Sequence, residues 1–564
     1  MRLAPRQAAV AALATFAAVA GLLAARPVRG WNLWFAWQVD ATERFERWLN
    51  GGGPDAARAA FEQAPRLFPL TGWMTAALAP SSGHAEALHA VGVVSAAAIA
   101  AMLFLAANRY RGAVAGLVSV ALFAGAPRLW TAAELYPSTL LGTAMGFAAI
   151  LLLTVWRRPA AWASASALLA LGLLCGMPGW WILPLGLYLL LVDPTSSAPP
   201  GLLQLREGAW PRLLTLGLLL LIVLLAPPPL RSPKAWGAVL RTWLDAGAEP
   251  VLVAGELFGK ERLSVGAVCC LLLRTLPPLF GPGLLAAAGF LMVGRSGSGR
   301  VALCPVMRRW FASLAFLLLM PVVLRSAYHG GQDLLLYLLP LLALLAGLGL
   351  TAAVELAARR LPALEPWTAS VLVGLLGLAS LDVTRGWSAP EAYGVGWQGG
   401  TAGLVRDGYS RYPHGPLPVA WLADQLVGKP GRIGLAANEW EYKPLVEAYT
   451  KRGWLPRGTR LVPMGEADGV LVPLEDALPE RMPHLPDAAR AIASGQARVV
   501  AAGGVPLLVW VPTPRASTAP LKAEKGAGVV KTGPSFRAPA KSRLPLQPAV
   551  PKAGQKPAPS SKAP

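Results

Sequence analysis

Runs of 15 to 20 aliphatic residues recur along the first 380 positions of this chain. Such a run is too long for a strand and comes close to the ~20 residues with which an α-helix crosses a bilayer, so a polytopic α-helical membrane protein is expected. The runs are continuous rather than alternating, which excludes a transmembrane β-barrel. Composition agrees: 54% of the 564 residues are hydrophobic and 14% are charged, too apolar for a single soluble enzyme.

Eleven spans are expected, near 7–25, 88–107, 112–126, 135–156, 161–175, 180–192, 213–226, 264–293, 310–324, 334–354 and 366–382. The first follows Arg2 and Arg6 as a signal peptide would. Ala24-Ala25 is a poor cleavage site, however, and Arg26, Pro27 and Arg29 follow directly, so a retained helix is expected. The stretch 264–293 is too long for one span. It reads as an interfacial helix carrying Arg274 that turns at Pro277-Pro278. Only Gly176-Met177-Pro178-Gly179 separates 161–175 from 180–192, which makes a tight turn or a broken helix.

Charge sets the orientation. With the N-terminus cytoplasmic and the spans alternating, fourteen arginines fall in cytoplasmic loops, among them Arg109, Arg111, Arg157, Arg158, Arg308, Arg309, Arg359 and Arg360. The opposite loops hold thirteen Lys and Arg balanced by twelve acids, as the positive-inside rule requires. A membrane domain then covers 1–382, with outer loops 26–87 and 227–263. Residues 383–512 read as a small extracytoplasmic α/β domain: helices at 417–427 and 441–451, strands at 432–436 and 469–472, and a hairpin of 498–502 and 506–511 around Gly503-Gly504. Residues 513–564 carry ten prolines, ten Lys or Arg and one acid, Glu524, and read as a disordered basic tail. The tail supplies 10 − 1 = +9 of the net +21. No basic stretch is interleaved with aromatics, so nucleic acid is not an expected partner. Four cysteines and five histidines form no CxxC or Cys/His cluster, so neither a zinc site nor a disulfide framework is indicated.

Ionisable residues near the outer membrane face are the candidates for chemistry. Asp40 and Glu43 stand three apart, on one face of a helix, after Trp31, Trp34 and Trp37. A carboxylate there suits a general base acting on a hydroxyl, and it equally suits the solvated face of an interfacial helix. Arg128 and Glu134 lie in Pro127–Glu134, read as an eight-residue loop. Arg325, Tyr328, His329 and Asp333 lie in a later one. An arginine at that depth fits a phosphate or diphosphate, bound bidentately, or an ordinary snorkelling side chain.

In this order and topology the chain resembles the GT-C membrane glycosyltransferases, and among them the bacterial relatives of protein O-mannosyltransferases. Asp40-Ala41-Thr42-Glu43 stands where those relatives carry an Asp-Ser-Gly-Glu-like motif, keeping both acids. Ala64-Pro65-Arg66-Leu67-Phe68-Pro69-Leu70 stands in place of a His-Pro-Pro-Gly-Tyr-Pro-like stretch, keeping two prolines and an aromatic. Ala133-Glu134-Leu135-Tyr136 matches an Ala-Glu-Val-Tyr motif. Tyr337-Leu338-Leu339-Pro340 and Gly347-Leu348-Gly349 resemble a later Tyr-Leu-Pro and Gly-Leu-Gly. Asn438-Glu439-Trp440-Glu441-Tyr442 falls where relatives have an acidic stretch before a helix.

The resemblance implies a hexosyltransferase of the bacterial inner membrane. Its donor would be a polyprenyl-phosphate sugar and its acceptor a protein, a lipid or an envelope glycan. Asp40, supported by Glu43, would be catalytic. Arg128, Glu134, Tyr136, Arg325, His329 and Asp333 would bind substrate. Some members of that superfamily use a divalent metal and others do not; no compact ligand cluster for one is legible here, which weighs against a metal and leaves no cofactor certain. Two other classes share these features: a flippase for lipid-linked envelope precursors, and a scaffold descended from an enzyme. No inverted repeat is visible in the hydropathy and few charges fall near the midplane, which weighs against the flippase.

Overall fold

A computed structural model describes residues 3–25, 33–50, 69–155, 159–175, 177–191, 213–218, 220–221, 251–253, 256–258, 265–293, 303–323, 336–384, 393, 398, 431–435, 439–463, 466–473, 494, 498–502 and 505–512. All belong to one compact unit that ends at Ala516. The expected helix at 417–427 and the basic tail lie outside them, as do residues 219 and 222–226 of the expected span 213–226.

Helix α1 (Pro5–Ala24) starts with proline in its first turn and buries one stripe, Ala8, Ala12, Thr15, Val19 and Leu23. The steps of three and four follow the helical period, so a single face meets the bundle. Val10 and Leu13 face outward, as lipid-exposed residues do. Helix α2 (Leu33–Leu49) is amphipathic, and α3 (Pro69–Ser82) follows it. The start of α3 rests on the end of a later helix, Pro159–Leu173: Leu70 N–H and Thr71 Oγ1 donate to the carbonyls of Leu174 and Cys175. Backbone acceptors that a helix end leaves open are thereby satisfied.

The central element is α4 (His84–Arg111), which packs on α1, α2 and α3 and on the later helices Ala113–Ala124, Pro127–Leu135, Pro137–Val155 and Leu339–Arg360. Its 28 residues rise about 42 Å, more than the ~30 Å hydrocarbon layer, so both ends can reach polar surroundings. Gly112, at φ 96°, turns the chain into α5 (Ala113–Ala124). Next come α6 (Pro127–Leu135), α7 (Pro137–Val155), α8 (Pro159–Leu173) and α9 (Met177–Leu191). A small hairpin, β1 (Val251–Val253) with β2 (Glu256–Phe258), precedes α10 (Val265–Thr275). Helices α11 (Phe280–Val293), α12 (Leu303–Val323), α13 (Leu339–Arg360) and α14 (Thr368–Thr384) complete the membrane domain. The expected break at Pro277-Pro278 falls between α10 and α11.

Among the described residues, five helices are long and apolar enough to cross a membrane: α1, α4, α7, α13 and Glu365–Thr384, which contains α14. A sixth span is possible if α5 and α6, bent by 62°, count as one. Of the other expected spans, 112–126, 161–175, 180–192 and 264–293 correspond to shorter helices, 310–324 lies on the 21-residue α12, and 213–226 is described only in part. Gly347 and Gly349 set the spacing of α13 against its neighbours. A methyl at 347 would overlap Ser119 of α5, and one at 349 would overlap Gly283 and Ala287 of α11. Small residues allow this close approach between helices in lipid.

Among the described arginines assigned to one side, Arg109 and Arg111 end α4 and Arg359 and Arg360 end α13. At that end of α4, Leu3 N–H donates to Asn108 Oδ1, and Tyr110 and Trp310 meet edge-to-face, 4.9 Å apart. Arg111 Nε and Nη2 both reach Glu355 Oε2, at 3.2 and 2.7 Å.

Beyond the helices lies a mixed sheet of order β4-β3-β5-β7-β6. β3 (Arg432–Leu435) runs parallel to β4 (Arg460–Leu461) and β5 (Gly469–Pro473), with α15 (Glu439–Lys451) between β3 and β4. β7 (Val505–Pro512) is antiparallel to β5 and to β6 (Arg498–Ala502), the hairpin read from Gly503-Gly504. Gly469 leaves room for Trp510, whose ring covers it. Asp468 accepts from Arg432, through the backbone N–H and Nη2, both at 3.0 Å. Burial pushes the Asp468 carboxyl up, but these two bonds and the guanidinium charge outweigh it and hold it below the ordinary range.

Candidate functional site

Two groups of polar residues sit along the first half of α4. The first is built on α2. Phe35, Ala36, Val39, Ala41, Thr42 and Phe45 are buried, and Phe45 lies edge-on to Trp73 of α3, with centroids 5.9 Å apart. The charges occupy the less buried side. Asp40 is exposed, and Arg44 Nη2, one turn on, lies 2.7 Å from its Oδ2. Glu43 is half-buried, 3.9 Å from Arg47 Nη2. Glu46 reaches the first residue of α4, where its Oε2 lies 2.5 Å from His84 Nε2. The two acids at 40 and 43 thus stay on one helix, as the spacing requires, and a third acid ties that helix to α4.

The sheet domain contributes a cation to the same place. Arg452, just past α15, puts Nη1 3.9 Å from Glu86 Oε1 and Cζ 5.8 Å from the Trp454 ring centroid. Burial lowers the Arg452 pKa from its ordinary value, and the charges of Glu86 and Glu43 act in the opposite direction. Glu46, His84, Glu86 and Arg452 were not among the sequence candidates. Gly83 followed by an acid in the first turn marks a helix start, but nothing local marks Arg452 as a neighbour of residues more than 350 positions earlier.

The second group is α6. Pro127–Glu134, expected as a loop, is instead a buried helix. Pro127 is preset for the first helical position, and Leu129, Trp130, Ala132, Ala133 and Leu135 supply apolar surface nearly all round. Ala133 packs on Gly92 of α4 so closely that a methyl at 92 would overlap its carbonyl. Trp130 Nε1 donates to Ala124 O at 2.6 Å across the bend. Tyr136 caps the helix and is buried. Arg128 is 3% exposed and Glu134 7%. These are not snorkelling side chains, and Arg128 Nη2 donates to Thr275 Oγ1 of α10. A charge held inside a membrane domain is costly and marks a functional position by default.

From His84 to Gly92 is eight residues along α4, about 12 Å. Exposed and half-exposed carboxylates, able to accept a proton, therefore lie at the start of α4, and the helix that carries a buried guanidinium, able to hold an anion, packs roughly two turns further along it. Tyr337 of the Tyr-Leu-Leu-Pro stretch donates to Leu317 O at 2.8 Å, fastening α13 to α12. Arg325, Tyr328, His329 and Asp333 lie outside the described residues, as do residues 64–68 and Asn438. Among the described residues no group of three or more His, Cys, Asp or Glu could hold a metal ion.

No protein-family model matches the chain, and no curated protein matches it in sequence. Solved structures similar to the chain include two of ArnT. ArnT from Cupriavidus metallidurans bound to undecaprenyl phosphate is 14% identical, with a TM-score of 0.41 over 90% of this chain and 98% of that one. ArnT from Cupriavidus metallidurans in the apo state is 15% identical, with a TM-score of 0.42 over 89% and 98%. Likeness at this level bears on neither the activity nor the residues of this chain.

Proposed function

We propose that this chain is a membrane glycosyltransferase. It would move a sugar from a polyprenyl-phosphate donor to a protein, lipid or envelope-glycan hydroxyl at the outer face of a bacterial inner membrane. The observation that carries the reading is the burial of Arg128 and Glu134 on a helix bent out of its span, close along α4 to the acidic helix α2. A guanidinium inside the membrane domain suits the phosphate of a lipid carrier, and a carboxylate at the surface suits a polar acceptor. The order of the acidic, Ala-Glu-Leu-Tyr and Gly-Leu-Gly motifs along the chain supports the same reading.

In the proposed step the acceptor oxygen attacks the anomeric carbon and its proton passes to Asp40. The bond from that carbon to the phosphate oxygen breaks with inversion, and the electron pair leaves with the polyprenyl phosphate, whose charge Arg128 stabilises. Arg325, in the later outer segment, is the second candidate for that role. Arg44 sits 2.7 Å from Asp40, so an acceptor must share or displace that ion pair. Glu43, Glu134, Tyr136, His329 and Asp333 are proposed as supporting residues. The arginine-bearing end of the bundle would face the cytoplasm, by the positive-inside rule.

The test is sugar release from a panel of radiolabelled polyprenyl-phosphate hexoses by the full chain in nanodiscs, with Asp40→Asn alongside. Turnover by the parent that the variant lacks is the expected result. No turnover with any donor by folded protein overturns the reading and makes translocation of lipid-linked glycans the next assay.

A further inference from the structure

Helix α15 lies between two partners. Val446 and Tyr449 are buried, α15 packs on β4, and it also contacts α2. Tyr449 stacks obliquely on Trp454, 5.3 Å between centroids, and Trp454 backs the guanidinium of Arg452. The apolar side of this unit thus belongs to the sheet domain, while its charge points away, into the carboxylates of the membrane domain. Glu86 is 3.9 Å away, and Glu43 is near enough to act on Arg452 electrostatically. Glu46 belongs to the same outer end through His84. Three carboxylates gathered in one place repel one another, and Arg452 is a cation brought among them from another part of the chain.

We infer that Arg452 is a positioning residue: through it the C-terminal sheet domain docks on the outer end of α4 and holds the acidic face of α2 in place. The candidate site is then not a property of the membrane helices alone but is completed by the sheet domain. That the completed surface serves the acceptor side rests on the transferase reading; the docking does not. At 3.9 Å and partly exposed the contact is loose, of the kind that contributes little when single and matters when one cation serves several anions. Bound to α4 and set beside Glu43, Arg452 steadies α2 without locking it.

The experiment is hydrogen exchange of the full chain in nanodiscs, comparing the parent with Arg452→Glu, Arg452→Lys and the charge-swapped pair Arg452→Glu/Glu86→Lys. In Arg452→Glu, exchange in α2 is expected to rise about fivefold or more, with the β5 and β7 amides unchanged. Arg452→Lys, which keeps the charge, is expected to stay within about twofold of the parent, and the swapped pair to recover most of the loss. The inference is overturned if Arg452→Glu leaves α2 unchanged, if Arg452→Lys exchanges as fast as Arg452→Glu, or if the strands loosen equally, which would mean a folding defect. Donor turnover on the same samples separates the two ideas: a parent without turnover defeats the transferase reading, while α2 exchange still decides the docking.

Discussion

The two ends of α4 are held in different ways. At the arginine-bearing end, Arg111 reaches one carboxylate oxygen of Glu355 twice, Asn108 accepts from the backbone of Leu3, and Tyr110 packs on Trp310. At the other end, His84 and Glu86 meet α2 and Arg452 through partly exposed side chains, one contact short and the other 3.9 Å. One end gathers α1, α12 and α13 by packing and directed hydrogen bonds. Both ends use a partly exposed ion pair, but the other end is joined to the sheet domain by the looser and more exposed Arg452–Glu86 contact, for which water can compete. The difference teaches where rearrangement is cheap. Chemistry that must admit a polar acceptor belongs at the second end, and an alternating-access transporter would need the first end to open.

The sharpest way to break this contrast is at the glycines that fix the bundle. Gly349→Ala pushes a methyl into Gly283 and Ala287 and is expected to destabilise by about 3 kcal/mol. Gly377→Ala, with open space around it, should leave the melting temperature in nanodiscs unchanged. Equal effects would mean that the close α11–α13 contact is not structural. Next in size is Arg128→Gln, which removes a buried charge and its bond to Thr275. Donor turnover should fall about a hundredfold, the scale of one lost electrostatic contact to a leaving group, with a smaller change in melting temperature. A large stability loss with normal turnover would make Arg128 structural.

At the packed end, Arg111→Ala is expected to destabilise by about 1 kcal/mol, because the pair is partly exposed. Adding Glu355→Ala should cost little more, which a double-mutant cycle by thermal unfolding would read. The smallest effect concerns pH. The Asp468 carboxyl is held below its ordinary range, so its contribution is fully present above the unfolded value near ~3.9 and is lost as pH falls through the lower folded value. Asp468→Asn should flatten that part of the acid-unfolding profile, monitored by Trp510 fluorescence.

Much of the fold was legible because it follows from local signals. Hydropathy located α1, α4, α7 and α13, Pro277-Pro278 marked the break between α10 and α11, and Gly503-Gly504 the β6–β7 hairpin. The misreading of Pro127–Glu134 as a loop has a clear cause. Two charges in nine residues look like a water-exposed turn, and only tertiary packing on Gly92 shows that they are buried. The pair Asp40 and Glu43 was visible from spacing and tryptophan content. The cluster of Glu46, His84, Glu86 and Arg452 was not, because it is assembled by three separate segments, and one sequence carries no record of such distances.

The bend between α5 and α6 also bears on how the protein is made. Nine residues that include an arginine and a glutamate are too short and too polar to enter a bilayer unaided, since each central charge opposes insertion by about 2.5–3.5 kcal/mol. Helix α6 is therefore expected to enter as the bent end of α5, with which it makes one apolar span, and to settle against α4 once that helix stands in the membrane. The residues proposed to meet the lipid phosphate would then settle late during biogenesis, and a protein halted before that step would be inserted yet lack the proposed phosphate contact.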